Sequence, residues 1–142
     1  MKYIPYAKQS ISKSDIDAII KVLQSDFLTQ GPLVNEFERS ITTKVSANYA
    51  TAVNSATSAL HIACKALDID NKDYIWTSPN TFVASANCAL YCGANVDFID
   101  IDQKTYNISI QKLKDKLTNA KKNNKLPKVI IPVHYAGQSC NC

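Results

Sequence analysis

Short apolar segments of strand length alternate with helix-patterned segments along this chain, and the alternation restricts the fold more than any other feature. Residues 74–77 and 129–133 are β-branched or aromatic runs, and residues 96–101 alternate apolar and acidic side chains as a strand does. Helical spacing of apolar residues occupies 82–91 and 109–121. Strands separated by helices predict an α/β layered domain with a largely parallel sheet.

Two further helices are predicted nearer the N-terminus. Residues 14–24 are amphipathic, and either Ser12 or Ser14 is available as the N-cap. Helical spacing resumes at 34–45, after a break at 27–32 that ends in a Gly-Pro pair.

The stretch Asn-Ser-Ala-Thr-Ser at 54–58 lies between a predicted strand at 50–53 and a helix predicted to continue to residue 67. The first N–H groups of a helix are unpaired and carry partial positive charge, so an anion can bind there. The hydroxyls of Ser55, Thr57 and Ser58 could add donors to the same place. An ordinary N-cap, in which Ser or Thr bonds to its own helix, is the commoner use of such residues. The pattern alone leaves both interpretations open.

The composition argues against several classes of protein. The 142 residues suffice for one domain, and the net charge of +4 comes from lysines scattered along the chain, with Arg39 the only arginine. Nucleic-acid binding would favour a clustered basic face with bidentate arginines, so we expect no nucleic-acid partner. No stretch approaches the about 20 apolar residues of a membrane span. Residues 1–6 lack the apolar core of a signal peptide, so we expect no membrane association and a cytoplasmic location.

The five cysteines also bear on the compartment. An odd number without an export signal favours reduced thiols in a cytoplasm. A metal site would need more ligands at recognisable spacing, and the chain has only two histidines. We therefore expect no metal, and we expect Cys64, Cys88 and Cys92 to be buried as small hydrophobic side chains.

The sequence stops at Cys142, just after the last predicted strand and a turn at Gly137, where another helix would be expected. A parallel sheet that ends on a bare strand leaves a face uncovered. We therefore expect these residues to be the front portion of a longer protein.

Six segments, in their order and spacing, resemble a family of sugar aminotransferases. They lie at 28–32 (LTQGP), 34–38 (VNEFE), 54–60 (NSATSAL), 79–87 (PNTFVASAN), 93–100 (GANVDFID) and 132–137 (PVHYAG). The chain is similar to the N-terminal part of the DegT/DnrJ/EryC1/StrS aminotransferases, which use pyridoxal 5'-phosphate (PLP) on the fold-type I aspartate aminotransferase scaffold. The resemblance implies that residues 1–142 form an N-terminal arm and the first part of the PLP-binding large domain, with a mostly parallel sheet flanked by helices. The remainder of that domain and the C-terminal domain would be absent.

The resemblance also implies binding residues. In the family, the segment that matches 54–58 receives the cofactor's phosphate on the backbone N–H groups of Ala56 and Thr57 and on the Thr57 hydroxyl. Phe82 matches the aromatic side chain that stacks on the pyridine ring. Without the resemblance, Phe82 would be expected to be a core phenylalanine at a helix start. The positions that match nucleotide-sugar contacts are Tyr6, Asp26, Phe27, Leu28, Thr29 and Ala56.

Catalysis is expected from residues beyond this sequence. The family's Schiff-base lysine lies downstream of Cys142, as does the aspartate that pairs with the pyridine nitrogen and keeps the cofactor an effective electron sink. We therefore assign no catalytic residue here and expect the chain not to transaminate by itself. Family active sites form at a dimer interface that includes residues 26–32, so a complete version is expected to be a homodimer.

Within the family, residues 3–6 and 25–32 are most similar to the branch that acts in pseudaminic acid biosynthesis. That branch aminates C4 of a UDP-linked 4-keto-6-deoxy-N-acetylhexosamine, with glutamate as the amino donor. The alternatives are another nucleotide-sugar aminotransferase of the family, a dinucleotide-binding module and a non-catalytic truncated interaction protein. The glycine-rich fingerprint of a dinucleotide module is absent, because Gly31, Gly93 and Gly137 stand far apart.

Overall fold

The computed structural model describes residues 3, 5 and 8–141, in two compact units that divide between Ala52 and Val53. The first unit contains helices α1 (Lys13–Leu23) and α2 (Pro32–Val45). The second unit contains α3 (Ala56–Ala66), β1 (Tyr74–Thr77), α4 (Ala84–Tyr91), β2 (Asn95–Phe98), α5 (Ile110–Lys122), β3 (Val129–Ile131) and a 3-10 turn at Tyr135–Gly137.

Both helices of the first unit begin at residues suited to a helix start. Ser12 Oγ accepts a hydrogen bond from the Asp15 N–H at 3.3 Å, and the Asp15 carboxylate accepts one from the Ser12 N–H at 2.7 Å. This reciprocal capping box identifies Ser12, of the two predicted candidates, as the cap. Gly31 is the N-cap of α2, and Pro32 occupies its first position, where a missing N–H costs nothing. The two predicted helices are confirmed.

The predicted strand at 50–53 is wrong. A strand is defined by backbone pairing, and the sheet of the described residues consists of three other strands. The Ala52 N–H instead donates to the Glu38 carboxylate of α2 at 2.8 Å. Apolar, β-branched character over four residues therefore did not suffice to specify a strand here.

The sheet is parallel, as predicted, with strand order β2-β1-β3. Tyr74 is in register with Asn95, and Ile75 is in register with Val129. β2 ends at Phe98, earlier than predicted, and Ile101 pairs with Ile108 in an isolated antiparallel bridge instead. β3 ends just before Pro132, which lacks the N–H that a continued ladder would need.

β1 separates two hydrophobic clusters, because consecutive side chains of a strand point to opposite faces of a sheet. Ile75 belongs to the cluster formed with α3 and α4, and Trp76 belongs to the cluster formed with α5. The first cluster contains Cys64, Ile69, Ile75, Cys88, Ala89 and Ala94. The second contains Trp76, Ile99, Ile108 and Ala120. Helices therefore cover both faces, and complete burial of a side chain such as Ile75 contributes about 1.5–3 kcal/mol.

The cysteines of the first cluster behave as small hydrophobic side chains. Cys64 and Cys88 are buried, as predicted, and Cys92 is half-buried against them. Burial, with the neighbouring Cys88 and Cys92, raises the pKa of the Cys64 thiol to about 12. This thiol is therefore protonated at neutral pH and is a poor nucleophile or ligand.

In residues 3, 5 and 8–141, no group of three or more His, Cys, Asp or Glu could hold a metal ion, and no helix is long and apolar enough to cross a membrane.

Candidate site at the start of α3 and the carboxyl edge of the sheet

A side-chain cap forms the N-terminus of α3. Ser55 has an extended backbone, and its Oγ accepts a hydrogen bond from the Ser58 N–H at 3.2 Å. The Ser58 hydroxyl donates to Asn54 Oδ1 at 2.7 Å, and the hydroxyl oxygens of Ser55 and Ser58 lie 3.1 Å apart. The N-cap interpretation of this stretch is therefore confirmed, with Ser55 as the cap.

The cap leaves three donors of the helix start available. Within the part of the chain that the structure describes, no acceptor bonds to the N–H groups of Ala56 and Thr57 or to the Thr57 hydroxyl. The first helical bond to a backbone carbonyl runs from the Ala59 N–H to the Ser55 oxygen at 3.0 Å. Ala56 is exposed and Thr57 is half-buried, so a ligand can approach both. A cap and an anion site are therefore compatible at this helix start, because they use different donors.

Phe82 lies in the connection between β1 and α4, and its side chain is 74% exposed. Its carbonyl accepts a hydrogen bond from the Ser85 N–H at 3.1 Å, which ties it to the first turn of α4. The hydroxyls of Thr81 and Ser85 lie 3.1 Å apart and hold the same connection. The alternative role of a core phenylalanine is therefore wrong, and a flat apolar ring face is open to a ligand.

The segment that contains Phe82 follows the carboxyl end of β1. The carboxyl ends of the parallel strands meet at this edge of the sheet, which is the usual ligand-binding edge of open α/β sheets. The buried Thr77 hydroxyl joins the ends of β1 and β3 by donating to the Ile131 carbonyl at 2.9 Å. This bond links the ends of the two neighbouring strands at that edge.

Asn107 organises the loop that follows β3, a role that was not predicted from the sequence. Its Oδ1 accepts a hydrogen bond from the Tyr135 N–H at 2.9 Å. Its Nδ2 donates to the carbonyls of Gln138 and Ser139 at 3.1 and 3.2 Å. Asn107 is only 5% exposed, whereas an asparagine in a turn is ordinarily expected at the surface. No local pattern indicates such long-range bonds.

Residues 26–29 lie in the first unit, in the turn between α1 and α2. Asp26, Phe27 and Leu28 line an apolar groove of about 720 Å³, and Thr29 is not among its lining residues. Further lining side chains come from both helices: Ala18, Ile19, Val22, Leu33, Val34 and Phe37. The structure therefore brings three of these four predicted residues together. Tyr6, another predicted contact of the nucleotide-sugar, lies outside the described residues.

Three lysines of the second unit are held by carboxylates. Lys116 pairs with Asp97 at 2.7 Å, Lys128 pairs with Asp73 at 3.1 Å, and Lys112 pairs with Asp100. Burial raises the pKa of Asp97, but hydrogen bonds from the Lys116 ammonium and the Phe98 N–H outweigh it and leave that pKa below its ordinary value. These lysines are cationic partners of aspartates, and the geometry gives none of them the role of a nucleophile.

Comparison with known proteins defines the class of the chain. Residues 9–142 match the DegT/DnrJ/EryC1/StrS aminotransferase family, and the chain belongs to that family. One relative is the UDP-4-amino-4,6-dideoxy-N-acetyl-beta-L-altrosamine transaminase of Campylobacter jejuni, which is 43% identical over 136 residues, or 96% of this chain and 35% of the relative. The chain spans about a third of the length of the curated relatives that it matches.

Solved structures show the same fold. Helicobacter pylori PseC, an aminotransferase involved in the biosynthesis of pseudoaminic acid, matches with a TM-score of 0.84 and 31% identity over 99% of this chain and 36% of its own. Streptococcus pneumoniae Spr1654, described as a sugar aminotransferase and solved in a PLP form, matches with a TM-score of 0.83 and 27% identity over 97% of this chain and 34% of its own. The predicted family and the predicted α/β fold, a partial domain of the aminotransferase structures, are both confirmed.

Proposed function

We propose that residues 1–142 are the cofactor-binding front part of a PLP-dependent nucleotide-sugar aminotransferase. They would supply an N-terminal arm and the first part of the large domain, and residues beyond this sequence would supply the remainder of that domain and a C-terminal domain. The observation that carries the proposal is the start of α3 in a chain of the aminotransferase family: Ala56 and Thr57 offer donors that have no acceptor among residues 3, 5 and 8–141.

The donor set of α3 fits a phosphate group. Two backbone N–H groups and one hydroxyl match the acceptor oxygens of a phosphate, and the helix dipole favours negative charge at this end. The methyl group of Ala56 leaves the approach open. Each hydrogen bond to a charged group contributes about 1.5–3 kcal/mol. The cofactor's phosphate would therefore be held by Ala56 and Thr57, while Ser55 and Ser58 keep the helix start in shape.

Phe82 would orient the cofactor by stacking on its pyridine ring. Aromatic stacking of this kind contributes about 0.5–1.5 kcal/mol beyond the burial of area, and it leaves the polar groups of the ring free for other partners. Bound PLP supplies the electron sink for amino transfer. The lysine that bonds the cofactor and the aspartate that faces the pyridine nitrogen are expected downstream of Cys142, so the role of this chain is to bind and orient.

The substrate that we infer is a UDP-linked 4-keto-6-deoxy-N-acetylhexosamine, aminated at C4 with glutamate as the donor. The support is the altrosamine transaminase of C. jejuni and PseC of H. pylori among the proteins that the chain matches. The apolar groove between α1 and α2 adds a binding surface for the substrate. The contacting residues would be Tyr6, Asp26, Phe27, Leu28, Thr29 and Ala56.

A homodimer is part of the same proposal. Ile16, Ile19 and Leu23 of α1 are 49%, 59% and 65% exposed, an apolar stripe that the described residues leave uncovered. A second copy that covers this surface would bury it. Light scattering of the full-length protein is expected to give the mass of two chains, and a monodisperse monomer would contradict this assembly.

The enzyme proposal is tested on the full-length protein with PLP, borohydride reduction and peptide mass mapping. We expect one stoichiometrically labelled lysine, located beyond Cys142, and glutamate-dependent amination of the UDP-linked 4-keto sugar. Amination of a different nucleotide-sugar would support the assignment as a nucleotide-sugar aminotransferase and contradict the substrate that we infer. Stoichiometric labelling of a lysine between Lys2 and Lys128 would overturn the assignment of roles. Failure to bind PLP at all would favour a non-catalytic interaction protein.

A further inference from the structure

The loop that follows β3, residues 132–140, leaves the same edge of the sheet as the segment that contains Phe82. β1 and β3 are neighbouring parallel strands, and the Thr77 hydroxyl of β1 bonds to the Ile131 carbonyl of β3 at 2.9 Å. Phe82 is the fifth residue after β1, and His134 is the third residue after β3. Both connections therefore begin at the edge where open α/β sheets bind their ligands. We call residues 132–140 the β3 loop.

The Asn107 side chain holds the β3 loop from outside it. Its Oδ1 accepts from the Tyr135 N–H at 2.9 Å, and its Nδ2 donates to the carbonyls of Gln138 and Ser139 at 3.1 and 3.2 Å. The ring of Tyr106, the residue before Asn107, also lies against the Tyr135 ring, with 5.8 Å between the ring centres. Since Asn107 is only 5% exposed, water competes little for these bonds, and a satisfied buried network makes a loop rigid.

The β3 loop also has bonds of its own and a strained backbone. The His134 carbonyl accepts from the Gly137 N–H at 3.0 Å, and the Val133 carbonyl accepts from the Cys140 thiol at 3.2 Å. Ala136 has a φ of +51°, in the left-handed region that residues other than glycine rarely adopt. Such strain persists only where the surrounding structure imposes it, and it is concentrated at functional sites.

His134 is the side chain of the β3 loop whose chemistry these bonds define. Its Nδ1 accepts a hydrogen bond from the Cys140 N–H at 3.0 Å, which fixes the direction of the ring. A nitrogen that accepts carries no proton, so the proton of the neutral ring lies on Nε2. The residue is exposed, and within residues 3, 5 and 8–141 its Nε2 has no hydrogen-bond partner. His134 therefore presents one oriented N–H donor in this loop.

We propose that His134 is a further ligand-contact residue of the site, that its Nε2–H donates to an anionic oxygen, and that Asn107 is the positioning residue that holds its loop. The inference rests on the proposed function, which supplies two such oxygens: the phenolate of the cofactor and a carboxylate of the amino donor. An N–H donor bonds more strongly to an anionic oxygen than to a neutral one.

The test follows the imidazole nitrogens of the full-length protein by 15N NMR, with histidine labelled and the His134 resonances assigned through His134→Asn. PLP is titrated into the apoprotein. Glutarate, a dicarboxylate that has no amino group to transfer, is titrated into the PLP-loaded protein. We expect the Nε2 resonance of His134 to shift saturably in at least one titration. A shift with PLP identifies the cofactor as the partner, and a shift with glutarate identifies the amino donor. No shift in either titration overturns the proposal.

Equilibrium dialysis of PLP separates this inference from the proposed function. If the parent protein binds no PLP, both are overturned. If PLP binds and the His134 nitrogens do not respond to PLP or to glutarate, this inference alone is overturned. His134→Asn offers an acceptor near the position of Nδ1 for the Cys140 N–H but has no group at Nε2. It is expected to raise the dissociation constant of the contacted ligand about ten- to hundredfold, because it removes a hydrogen bond to a charged oxygen. Unchanged affinities for both ligands would overturn the proposal.

Variants of Asn107 test the positioning role against a general loss of stability. Asn107→Ala removes the side-chain bonds to the β3 loop and is expected to abolish the ligand-induced shift of His134. Asn107→Asp, which still accepts from the Tyr135 N–H but donates to no carbonyl, is expected to reduce that shift. Ile108→Val is the control, because it shortens a buried neighbour and leaves the bonds of the loop in place, so the shift should be retained. An unchanged shift in both Asn107 variants, or its loss in Ile108→Val, would contradict the positioning role.

Discussion

Thr57→Val removes one donor from the start of α3 and changes little else. Valine has nearly the shape and the helix propensity of threonine. The Thr57 hydroxyl has no protein partner within residues 3, 5 and 8–141, so its loss breaks no bond of the described fold. The cap, formed by Ser55, Ser58 and Asn54, is untouched. The change is therefore expected to act on the ligand and to leave the stability of the apoprotein within about 0.5 kcal/mol.

The magnitude follows from one hydrogen bond to a charged phosphate. Such a bond is worth about 1.5–3 kcal/mol, which corresponds to about a ten- to hundredfold rise in the dissociation constant of PLP. Ser58→Ala is the matched control, because its hydroxyl bonds inside the cap, to Asn54 at 2.7 Å. That variant is expected to lower helix stability by about 0.5–1.5 kcal/mol and to change the affinity for PLP much less.

The two variants are compared in the full-length protein by equilibrium dialysis of PLP and by thermal unfolding of the apoprotein. Thr57→Val is expected to change dialysis and not unfolding, and Ser58→Ala is expected to do the reverse. Should Thr57→Val retain PLP as tightly as the parent protein, the Thr57 hydroxyl would have no role in phosphate binding.

Three further changes test other parts of the structure. Gly31→Ala would place a Cβ 2.7 Å from the Phe27 Cβ, so we expect the turn between α1 and α2 to shift. The KM for the nucleotide-sugar is then expected to rise. An unchanged KM would contradict a role for the groove in substrate binding. The pKa of Asp102 is lowered from 3.8 by the backbone N–H groups of residues 104–105. The ionised Asp102 carboxylate therefore stabilises the folded state above pH 3.8, and this contribution is lost as the pH falls through the folded-state pKa. We expect the difference in unfolding free energy between the parent protein and Asp102→Asn to disappear in unfolding curves measured at acid pH. Ala56→Leu keeps a good helix former and crowds the phosphate approach, so it should abolish PLP retention without lowering the unfolding temperature.

The elements that could be predicted from the sequence are those with a strong period. The helices, β1 and the parallel order follow from spacing and from the alternation of elements, and Gly93 follows α4 with a φ of +76°, as a C′ glycine should. The sequence could not show whether residues 50–53 form a strand. A strand requires a neighbouring strand to pair with, and a short apolar run does not indicate whether one is present. Phe82 shows the same limit, since its sequence neighbours suit a core side chain and its exposure arises from the fold.

The features that prediction missed depend on contacts between distant parts of the chain. The Asn107 side chain bonds to the Gln138 carbonyl at 3.1 Å, about thirty residues along the chain. A contact at that separation produces no periodic pattern in the sequence, so it could not be predicted. The burial of Trp76 likewise depends on how α5 packs against β1, which no local pattern of either segment specifies. Local pattern specifies an element, whereas a site is specified by the packing of several elements.

The absence of glycine at 54–58 has a physical explanation in the geometry of α3. Glycine-rich phosphate loops use glycine where the backbone needs a positive φ or where a side chain would block the ligand. The chain enters α3 through Ser55 with φ −160° and ψ 157°, an extended conformation open to any residue. The next side chain, Ala56, is a single methyl group, so the N–H groups stay accessible. Serine is then the better choice at the cap, because its hydroxyl bonds the Ser58 N–H and leaves those of Ala56 and Thr57 for an anion. One short segment can thus stabilise its own helix and still leave N–H donors for the phosphate that we propose.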